Sequence, residues 1–158
     1  MLKIKTTSPE ETFAIGQHLA KVLGPGQVVC LAGDLGAGKT LFVQGLAKAL
    51  GVENTVNSPT FTLLNVYEAS FPIYHFDLYR LDYAEELFDI GFYEYTEGRG
   101  LSIIEWPDKF PEELPDEYLW IDIKNGDNIN ERMLYVSAHG VTYEPICEEL
   151  KQTCPFLQ

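Results

Sequence analysis

The segment from Gly33 to Thr40, GDLGAGKT, has the residue types and spacing of a phosphate-binding loop, the Walker A pattern G-x-x-x-x-G-K-T. Its glycines allow backbone conformations that a Cβ would forbid, so consecutive N–H groups can point inward around a phosphate. Lys39 would reach the β- and γ-phosphates as a positive charge, and the hydroxyl of Thr40 would supply a ligand to Mg²⁺. The segment therefore predicts a site for a nucleoside triphosphate and magnesium.

The elements on either side of this loop are those that such a site requires. Residues 27–32, QVVCLA, are an apolar run short enough for a buried strand, and downstream apolar residues recur at helical spacing, at Leu41, Phe42, Leu46 and Leu50. The N-terminus of that helix would add its exposed N–H groups and its dipole to the phosphate site. The alternative, a glycine-rich turn with an incidental lysine, is less favoured because the flanking elements also fit.

Hydrolysis or transfer of a phosphoryl group also needs a carboxylate that holds magnesium through water. Glu105 is the best candidate, because it ends the apolar run 101–105, LSIIE, and would emerge at the carboxyl end of a buried strand. Asp108 ranks lower, since Pro107 turns the chain before it. Trp106 could shield the site from water or serve only in packing.

A second carboxylate, Asp77, lies in the segment 75–80, HFDLYR. Strand alternation places His75, Asp77 and Tyr79 on one face, and such a half-polar face beside a nucleotide could position water or relay a switch. Asp77 could equally pair with Arg80 or cap the helix that follows, and the residues alone leave these alternatives open. A lone histidine such as His75 is more often structural than a catalytic base.

Periodicity and turn residues predict the remaining elements. The first predicted helix, 9–23, begins within the capping sequence SPEE at 8–11, with Pro9 at its first position. The helix after the loop stops at Gly51. Further predicted strands and helices are the strands 2–6, 62–67, 73–79, 101–105, 118–123 and 133–138 and the helices 82–87 and 143–150.

Helices alternate with strands only in the first half of the chain, which predicts the fold class. We expect an α/β, P-loop NTPase-like three-layer fold whose central sheet is mixed, parallel around the strand before the loop and antiparallel in its hairpins. The nucleotide is expected at the carboxyl ends of the parallel strands. The length of 158 residues predicts a single domain, 1–158.

The composition of the sequence indicates the cellular compartment of the protein and excludes some classes of partner. No apolar run approaches the roughly 20 residues that cross a bilayer, and the three cysteines, Cys30, Cys147 and Cys154, contain no C-x-x-C pair. We therefore expect a cytoplasmic protein with no membrane partner and no zinc site. The guanine-binding pattern [N/T]-K-x-D is absent, which favours ATP over GTP.

Acidic residues dominate the second part of the chain. The formal net charge is −13, with +1 in residues 1–60 and −14 in residues 61–158. Because nucleic-acid affinity depends largely on phosphate neutralisation by Lys and Arg, this charge argues against strong direct binding of nucleic acid. The acidity could serve solubility or could receive a basic partner, and composition favours neither.

Four motifs occur in one order: GDLGAGKT, SPTF at 58–61, HFDLYR at 75–80 and IIEW at 103–106. Together they closely resemble the TsaE family, formerly called YjeE, the small bacterial P-loop ATPases needed to make threonylcarbamoyladenosine in tRNA. The resemblance runs from residues 10–12 to about Gly140, and none of the four motifs departs from the family pattern. Four collinear motifs are far more specific than a Walker A sequence alone.

The resemblance implies slow ATP hydrolysis by the isolated protein and a working complex with TsaD and TsaB, the family's transferase subunit and its companion. The family's role there is to reset the complex between catalytic cycles. By motif match, Lys39, Asp77 and Glu105 are the catalytic residues, and Thr40 and Glu105 serve Mg²⁺. The match assigns nucleotide binding to the loop residues Asp34, Leu35, Gly36, Ala37, Gly38, Lys39 and Thr40.

Three further positions follow from the same resemblance. Thr60, in SPTF, is placed like a switch threonine that senses the γ-phosphate. Thr12 and Arg132 match family positions near the base or ribose of the nucleotide.

Two other functions compete with an ATPase that drives a cycle in a tRNA-modifying assembly. One is a nucleotide-dependent binding switch, in which ATP orders the SPTF segment for docking and hydrolysis is incidental. The other is a small-molecule kinase, which the scarcity of arginine disfavours, since Arg80, Arg99 and Arg132 are the only three in the sequence.

Overall fold

One seven-stranded sheet organises the part of the chain that the computed structural model describes, residues 1–54 and 56–158. The strands are β1 (Leu2–Thr6), β2 (Val28–Ala32), β3 (Leu64–Tyr67), β4 (Ile73–Asp77), β5 (Leu101–Glu105), β6 (Tyr118–Asn125) and β7 (Arg132–His139). Their order across the sheet is β1-β7-β6-β2-β5-β4-β3. The strand β2 runs parallel to both β5 and β6, and β4 runs parallel to β5, whereas the other three pairs are antiparallel. The predicted mixed sheet is confirmed.

Helices cover both faces of this sheet. They are α1 (Pro9–Ala20), α2 (Lys39–Ala49), α3 (Glu85–Asp89), α4 (Phe92–Thr96) and α5 (Glu144–Thr153), with 3-10 turns at Pro107–Lys109, Pro111–Glu113 and Val141–Tyr143. No helix in the described residues combines the length and the apolarity that a membrane span would need.

The alternation of side chains along β2 separates two apolar cores. All five residues of β2 are buried. Val29 and Leu31 join the core beneath α1, α2 and α5, while Val28 and Cys30 join the core beneath α3 and α4. A strand buried on both faces needs apolar residues at every position, which explains why QVVCLA carries no alternating polar residue. The predicted three layers are therefore present.

The first helix begins as its capping sequence predicts. The hydroxyl of Ser8 accepts a hydrogen bond from the Glu11 N–H at 3.2 Å, and Pro9 occupies the first helical position. The Glu11 carboxylate bonds the Thr7 N–H at 3.0 Å, so the reciprocal bond of the capping box reaches one residue further back.

Helices α1 and α2 approach so closely that their backbones touch. A Cβ on Gly16 would meet the carbonyl oxygen of Phe42, and a Cβ on Gly45 would meet that of Phe13. Each glycine thus opens room for the other helix at the one place where a side chain would hold the two apart. This contact fixes α1 against the helix that carries Lys39 and Thr40.

Several predicted boundaries are wrong by one to three residues. The helix predicted as 9–23 ends at Ala20, because hydrogen bonds of the i to i−3 type tighten the chain at 21–22. The strand predicted as 73–79 ends at Asp77, and the one predicted as 62–67 starts at Leu64. The hairpin strands β6 and β7 each extend beyond the predicted 118–123 and 133–138.

The helical region after β4 departs most from the prediction. The helix predicted as 82–87 is the shorter α3, Glu85–Asp89, and its first turn contains 3-10 bonds such as Leu87 N–H to Ala84 O. The helix α4, which was not predicted, begins after Gly91 in a left-handed conformation, φ 73°. Its sequence, FYEYT, is aromatic and β-branched, which is poor local evidence for a helix. The tail helix predicted as 143–150 is found at Glu144–Thr153.

Replacing Gly45 by alanine should destabilise the fold, because the new Cβ would press on the backbone of Phe13, which cannot move aside as the end of a flexible side chain can. We expect the free energy of unfolding to fall by roughly 2 kcal/mol, within the usual cost of overpacking. Urea denaturation followed by circular dichroism measures this. Gly24→Ala is the matched control, since nothing lies within 4 Å of a Cβ at that position. Equal stability of the two variants would contradict the close packing.

Candidate nucleotide site

The loop Gly33–Gly38 joins the end of β2 to the start of α2, as its sequence predicts. Gly33, Gly36 and Gly38 have positive φ angles of 146°, 78° and 100°, which L side chains rarely adopt. A Cβ on Gly33 would also lie 2.6 Å from the carbonyl oxygen of Ile123. The loop therefore requires glycine both for its conformation and for its contact with β6.

The ammonium group of Lys39 is folded back against its own loop. Its Nζ donates a hydrogen bond to the carbonyl oxygen of Gly33 at 2.6 Å and stands 4.0 Å from the centroid of the Trp106 ring. Burial lowers the pKa of Lys39, and the nearby carboxylates of Glu105 and Asp77 partly offset that effect. A phosphate group could replace the Gly33 carbonyl as the partner of this charge.

Asp77 and Glu105 come from neighbouring parallel strands and stand side by side. They are paired in register at the carboxyl ends of β4 and β5, and Glu105 is in turn opposite Leu31 of β2. Both are buried, with 3% and 2% of their surface exposed. With Lys39 and Thr40 they line one cavity of about 300 Å³, whose wall also includes Leu35, Gly36, Gly38, Leu41, Ser58, Thr60 and Trp106. The structure thus brings together the residues predicted for catalysis and for magnesium.

The Asp77 carboxylate is held from two directions. One oxygen, Oδ1, accepts a hydrogen bond from the Tyr79 N–H at 2.9 Å, and Oδ2 accepts one from the Thr60 hydroxyl at 3.2 Å. The Thr60 hydroxyl is also 2.7 Å from that of Ser58. Burial raises the pKa of Asp77 despite these bonds. The predicted switch threonine is therefore in contact with a predicted catalytic residue.

The structure argues against both alternative roles for Asp77. Within the described residues Asp77 forms no ion pair with Arg80, whose guanidinium lies 4.9 Å from the ring centroid of Phe61. Nor does Asp77 cap the next helix, since the residue preceding α3 is Ala84. Its bond to the Tyr79 N–H ends the strand, and its second oxygen stays directed at the SPTF segment.

Glu105 is bonded to a histidine from the neighbouring strand. The Nε2 atom of His75 lies 2.6 Å from Oε2 of Glu105, and His75 is fully buried. On its other side, Nδ1 of His75 lies 3.3 Å from the hydroxyl of Tyr67. Sequence reasoning treated His75 as structural and missed Tyr67. The available signal was register, since His75 and Asp77 share a face of β4, beside the strand that Glu105 ends.

Thr12 and Arg132 lie beside the loop in a different pocket from the one that Asp77 and Glu105 line. The Nε of Arg132 donates to the Ala37 carbonyl at 3.0 Å and Nη2 donates to the Gly36 carbonyl at 3.4 Å. Thr12 is buried and its hydroxyl is 2.7 Å from that of Thr6. Both line a small pocket of about 40 Å³, together with Pro9, Gly38, Leu41 and Asn130. They are thus beside the loop, and their contact with a base or ribose stays a prediction.

Trp106 separates this site from a second cavity that was not predicted. Its φ of 58° is in the left-handed region, a strained conformation for a tryptophan, and its ring lies 4.8 Å from that of Tyr79. The second cavity, of about 490 Å³, extends towards the end of β6, where Trp120 and Asp122 join Asp34 and Asp108 in its wall. Trp106 therefore contacts both the Walker lysine and the neighbouring cavity.

The chemistry of the donor set suits magnesium bound together with a nucleotide. No group of three or more His, Cys, Asp or Glu side chains in the described part of the chain could hold a metal ion by itself. Magnesium usually keeps several waters and is bound by one or two protein oxygens and by phosphate oxygens, so it does not require such a cluster. Thr40 and Glu105 supply a hydroxyl and a carboxylate on one cavity wall, which fits that mode of binding.

Comparison with known proteins identifies one family. The sequence model described as "Threonylcarbamoyl adenosine biosynthesis protein TsaE" matches residues 6–134. The tRNA threonylcarbamoyladenosine biosynthesis protein TsaE of Bacillus subtilis (strain 168) is 45% identical over 152 residues, which are 96% of this chain and 94% of the relative. The protein of the same name from Treponema pallidum (strain Nichols) is 42% identical over 123 residues, 78% of this chain and 91% of the relative.

A solved structure agrees with the sequence comparison. A crystal structure of Bacillus subtilis YdiB superposes with a TM-score of 0.83 at 40% sequence identity, and the match covers 96% of this chain and 97% of that one. The predicted α/β fold of P-loop type is thereby confirmed.

The buried carboxylate of Asp77 should cost stability when it is ionised. Because burial raises its pKa, we expect Asp77→Asn to be more stable than the wild type at pH 8 without nucleotide. That gain should shrink as the pH falls through the raised pKa, since the wild-type carboxyl then takes up a proton, and it is lost below the ordinary value of 3.8. Urea denaturation from pH 8 down to pH 3.5 measures the gain, with Glu68→Gln, at an exposed position, as control. A gain that grows on acidification would be the contrary result.

Proposed function

The chain belongs to the TsaE family of threonylcarbamoyl adenosine biosynthesis proteins, and from this we propose that it is a Mg²⁺-dependent ATPase that acts within a complex with TsaD and TsaB. The observation that carries the proposal is the single cavity in which Lys39, Thr40, Asp77 and Glu105 meet. These side chains come from the loop helix and from the ends of two strands. Their types match the parts that phosphoryl transfer to water requires.

The loop supplies the binding of the triphosphate. Its N–H groups and the start of α2 attract phosphate oxygens, and Lys39 exchanges the Gly33 carbonyl for the β- and γ-phosphates. Arg132 holds the Gly36 and Ala37 carbonyls from outside, which keeps those oxygens directed away from the phosphates. Thr12 and Arg132 flank the nucleotide at its base or ribose end.

Thr40 and Glu105 would hold the magnesium ion, Glu105 through water. The ion, when bound, neutralises charge on the β- and γ-phosphates. The carboxylate is already desolvated and fixed by His75, so little reorganisation is needed to present its second oxygen to the cavity.

Asp77 is the residue best placed to orient the attacking water. Its carboxylate lines the same cavity wall as Glu105 and Thr60. Its raised pKa is closer to physiological pH than that of an ordinary aspartate, and a carboxylate with such a pKa exchanges a proton with water more readily. Thr60 touches Asp77 directly, so movement of the SPTF segment towards a γ-phosphate changes the environment of that carboxylate.

Slow turnover by the isolated protein follows from what the cavity lacks. In the described residues no arginine lines the cavity that holds Lys39 and Glu105. An arginine that stabilises charge in the transition state accelerates many P-loop enzymes strongly. TsaD and TsaB, as partners, would complete the site, and hydrolysis would reset the complex between cycles of threonylcarbamoyl transfer. The free cysteines Cys30, Cys147 and Cys154 suit action in the cytoplasm.

A nucleotide-dependent binding switch is the second candidate. It is favoured by the exposed side chain of Phe61, which lies in SPTF directly after the threonine that bonds Asp77. If ATP draws Thr60 towards the γ-phosphate, the Phe61 side chain moves with it, and the surface offered to a partner changes without hydrolysis.

Hydrolysis by the purified protein, alone and with TsaD and TsaB, distinguishes the two functions. We expect weak intrinsic turnover, strong stimulation by the partners, and loss of at least about 10²-fold in rate for Glu105→Ala with ATP binding retained. Lys39→Ala and Thr40→Ala should lose activity with the fold preserved, as circular dichroism would show. Intact ATP-dependent assembly without any stimulation would favour the switch.

Complementation gives an independent test in cells. A strain depleted of its own TsaE should be rescued by the wild-type chain and should fail with Lys39→Ala. Normal growth with Lys39→Ala would contradict a nucleotide-dependent function. If Glu105→Ala were to rescue while hydrolysing no ATP, binding alone would be sufficient.

Nucleotide binding can be followed through Trp106. Since Lys39 stands over this ring, we expect phosphate binding to draw the ammonium away and to change the fluorescence of Trp106. The chain contains two tryptophans, so the titration with ADP uses Trp120→Phe to leave one reporter. If calorimetry shows that ADP is bound at saturation and the fluorescence spectrum is unchanged, Lys39 keeps its position over the ring.

A further inference from the structure

A buried hydrogen-bonded chain runs from Glu105 away from the nucleotide cavity. It passes from Oε2 of Glu105 to Nε2 of His75 at 2.6 Å, and from Nδ1 of His75 to the Tyr67 hydroxyl at 3.3 Å. That hydroxyl also donates to the carbonyl oxygen of Asn57 at 3.0 Å. Asn57 directly precedes the SPTF segment, so the chain connects the candidate magnesium carboxylate to that segment.

The position of His75 in the sheet shows that packing alone does not account for it. Its neighbour in register on β5 is Ile103, which is 1% exposed, and His75 itself is fully buried. An imidazole in such a place costs free energy unless its nitrogens are paired, and an apolar residue would fill the space without that cost. Both nitrogens of His75 are paired, one with Glu105 and one with Tyr67.

Hydrogen-bond accounting gives each member of the chain a defined task. A neutral His75 that donates Nε2–H to Glu105 must accept at Nδ1, and the Tyr67 hydroxyl is the donor within reach. The single proton of Tyr67 thus has two acceptors, Nδ1 and the Asn57 carbonyl. Asn65 donates to both the Tyr67 oxygen and the Asn57 carbonyl, at 3.3 Å each, so the Asn57 oxygen keeps a donor when Tyr67 turns to His75.

The bond from His75 also divides the two oxygens of Glu105. Oε2 is committed to the imidazole. Oε1 receives no hydrogen bond from the described residues. Every buried side-chain oxygen and nitrogen there has a partner, so Oε1 is not buried and is open to the cavity that Glu105 lines with Thr40. Oε1 is therefore the oxygen that remains for a metal-bound water.

We propose that His75 and Tyr67 are positioning residues that orient the Glu105 carboxylate towards magnesium and tie that orientation to Asn57 at the start of the SPTF segment. The proposal rests on the proposed Mg²⁺-dependent nucleotide binding, and it assigns a function to two residues that touch neither nucleotide nor metal. Groups that orient a metal ligand in this way commonly change metal affinity by about 10–100-fold when they are removed. Movement of the SPTF segment would change the hydrogen bonding of Glu105 through Tyr67 and His75, and that of Asp77 through Thr60.

The test measures how much magnesium tightens the binding of ADP. Calorimetry gives the Kd of ADP in excess Mg²⁺ and in EDTA, and the ratio of the two reports the metal without any turnover. The variants are His75→Phe, which removes both nitrogens, His75→Gln, which keeps an N–H donor near the Nε2 position, and Tyr67→Phe, which removes only the hydroxyl. Tyr143→Phe is the matched control, because its buried hydroxyl accepts a hydrogen bond from the Val28 N–H, at the end of β2 away from the loop.

We expect the Mg²⁺ ratio to fall about tenfold in His75→Phe and by a smaller factor in Tyr67→Phe, with the Kd in EDTA unchanged. His75→Gln should recover most of the ratio, and Tyr143→Phe should keep the wild-type value. Equal ratios in all variants that fold would overturn the proposal, as would a parallel loss of affinity in EDTA, which indicates a merely structural role. A wild-type ratio of one would instead contradict the proposed Mg²⁺ dependence itself.

The partner-stimulated ATPase supplies a second readout. At saturating nucleotide, we expect His75→Phe and Tyr67→Phe to need a higher Mg²⁺ concentration for half-maximal rate, and to approach the wild-type rate when Mg²⁺ is raised further. A rate that Mg²⁺ does not restore would overturn the positioning role. Because Tyr67→Phe keeps the aromatic ring, it tests the proposal even if His75→Phe fails to fold.

Discussion

The burial of one ammonium and two carboxylates beside each other is the constraint on which the site depends. Lys39, Asp77 and Glu105 are all almost fully removed from solvent, and burying each of these charges costs free energy. Three separate elements must therefore meet at one point, where α2 begins and where β4 and β5 end. The parallel order of β2, β5 and β4 achieves this, because parallel strands present their carboxyl ends at the same edge of the sheet.

This arrangement gains function at the expense of stability. The carboxylate of Asp77 remains desolvated enough for its pKa to rise although it accepts two hydrogen bonds. Trp106 holds a backbone conformation that costs free energy, and the Walker lysine uses a backbone carbonyl and an aromatic face as its partners. A bound phosphate would give Lys39 an anionic partner in place of the Gly33 carbonyl.

Local sequence was sufficient for the elements with strong signals and insufficient where tertiary contacts decide. Gly33–Thr40 and LSIIE predicted the loop and β5 correctly, because glycine geometry and an unbroken apolar run leave few alternatives. The helix α4 was missed because its aromatic sequence is poor local evidence for a helix. The predicted ends of α1 and β4 were wrong because 3-10 bonds end α1 and the Asp77 side chain ends β4. Asp77, Thr60 and Glu105 were predicted to matter, but the bond between His75 and Glu105 depends on strand order and register, which the chain does not display locally.

The contact between α1 and α2 determines which parts of the molecule can respond to a nucleotide. With Gly16 and Gly45 allowing backbone to meet backbone, and with Arg132 fastened to the loop carbonyls, the cradle for the phosphates is stiff on that side. The opposite wall, formed by SPTF, lies outside the helices and strands, and the bonds from Thr60 to Asp77 and from Tyr67 to Asn57 tie it to the sheet, which makes it the softer side. Exchange of ADP for ATP would therefore proceed by yielding of this softer wall, and a protein that grips it would control how long product stays bound.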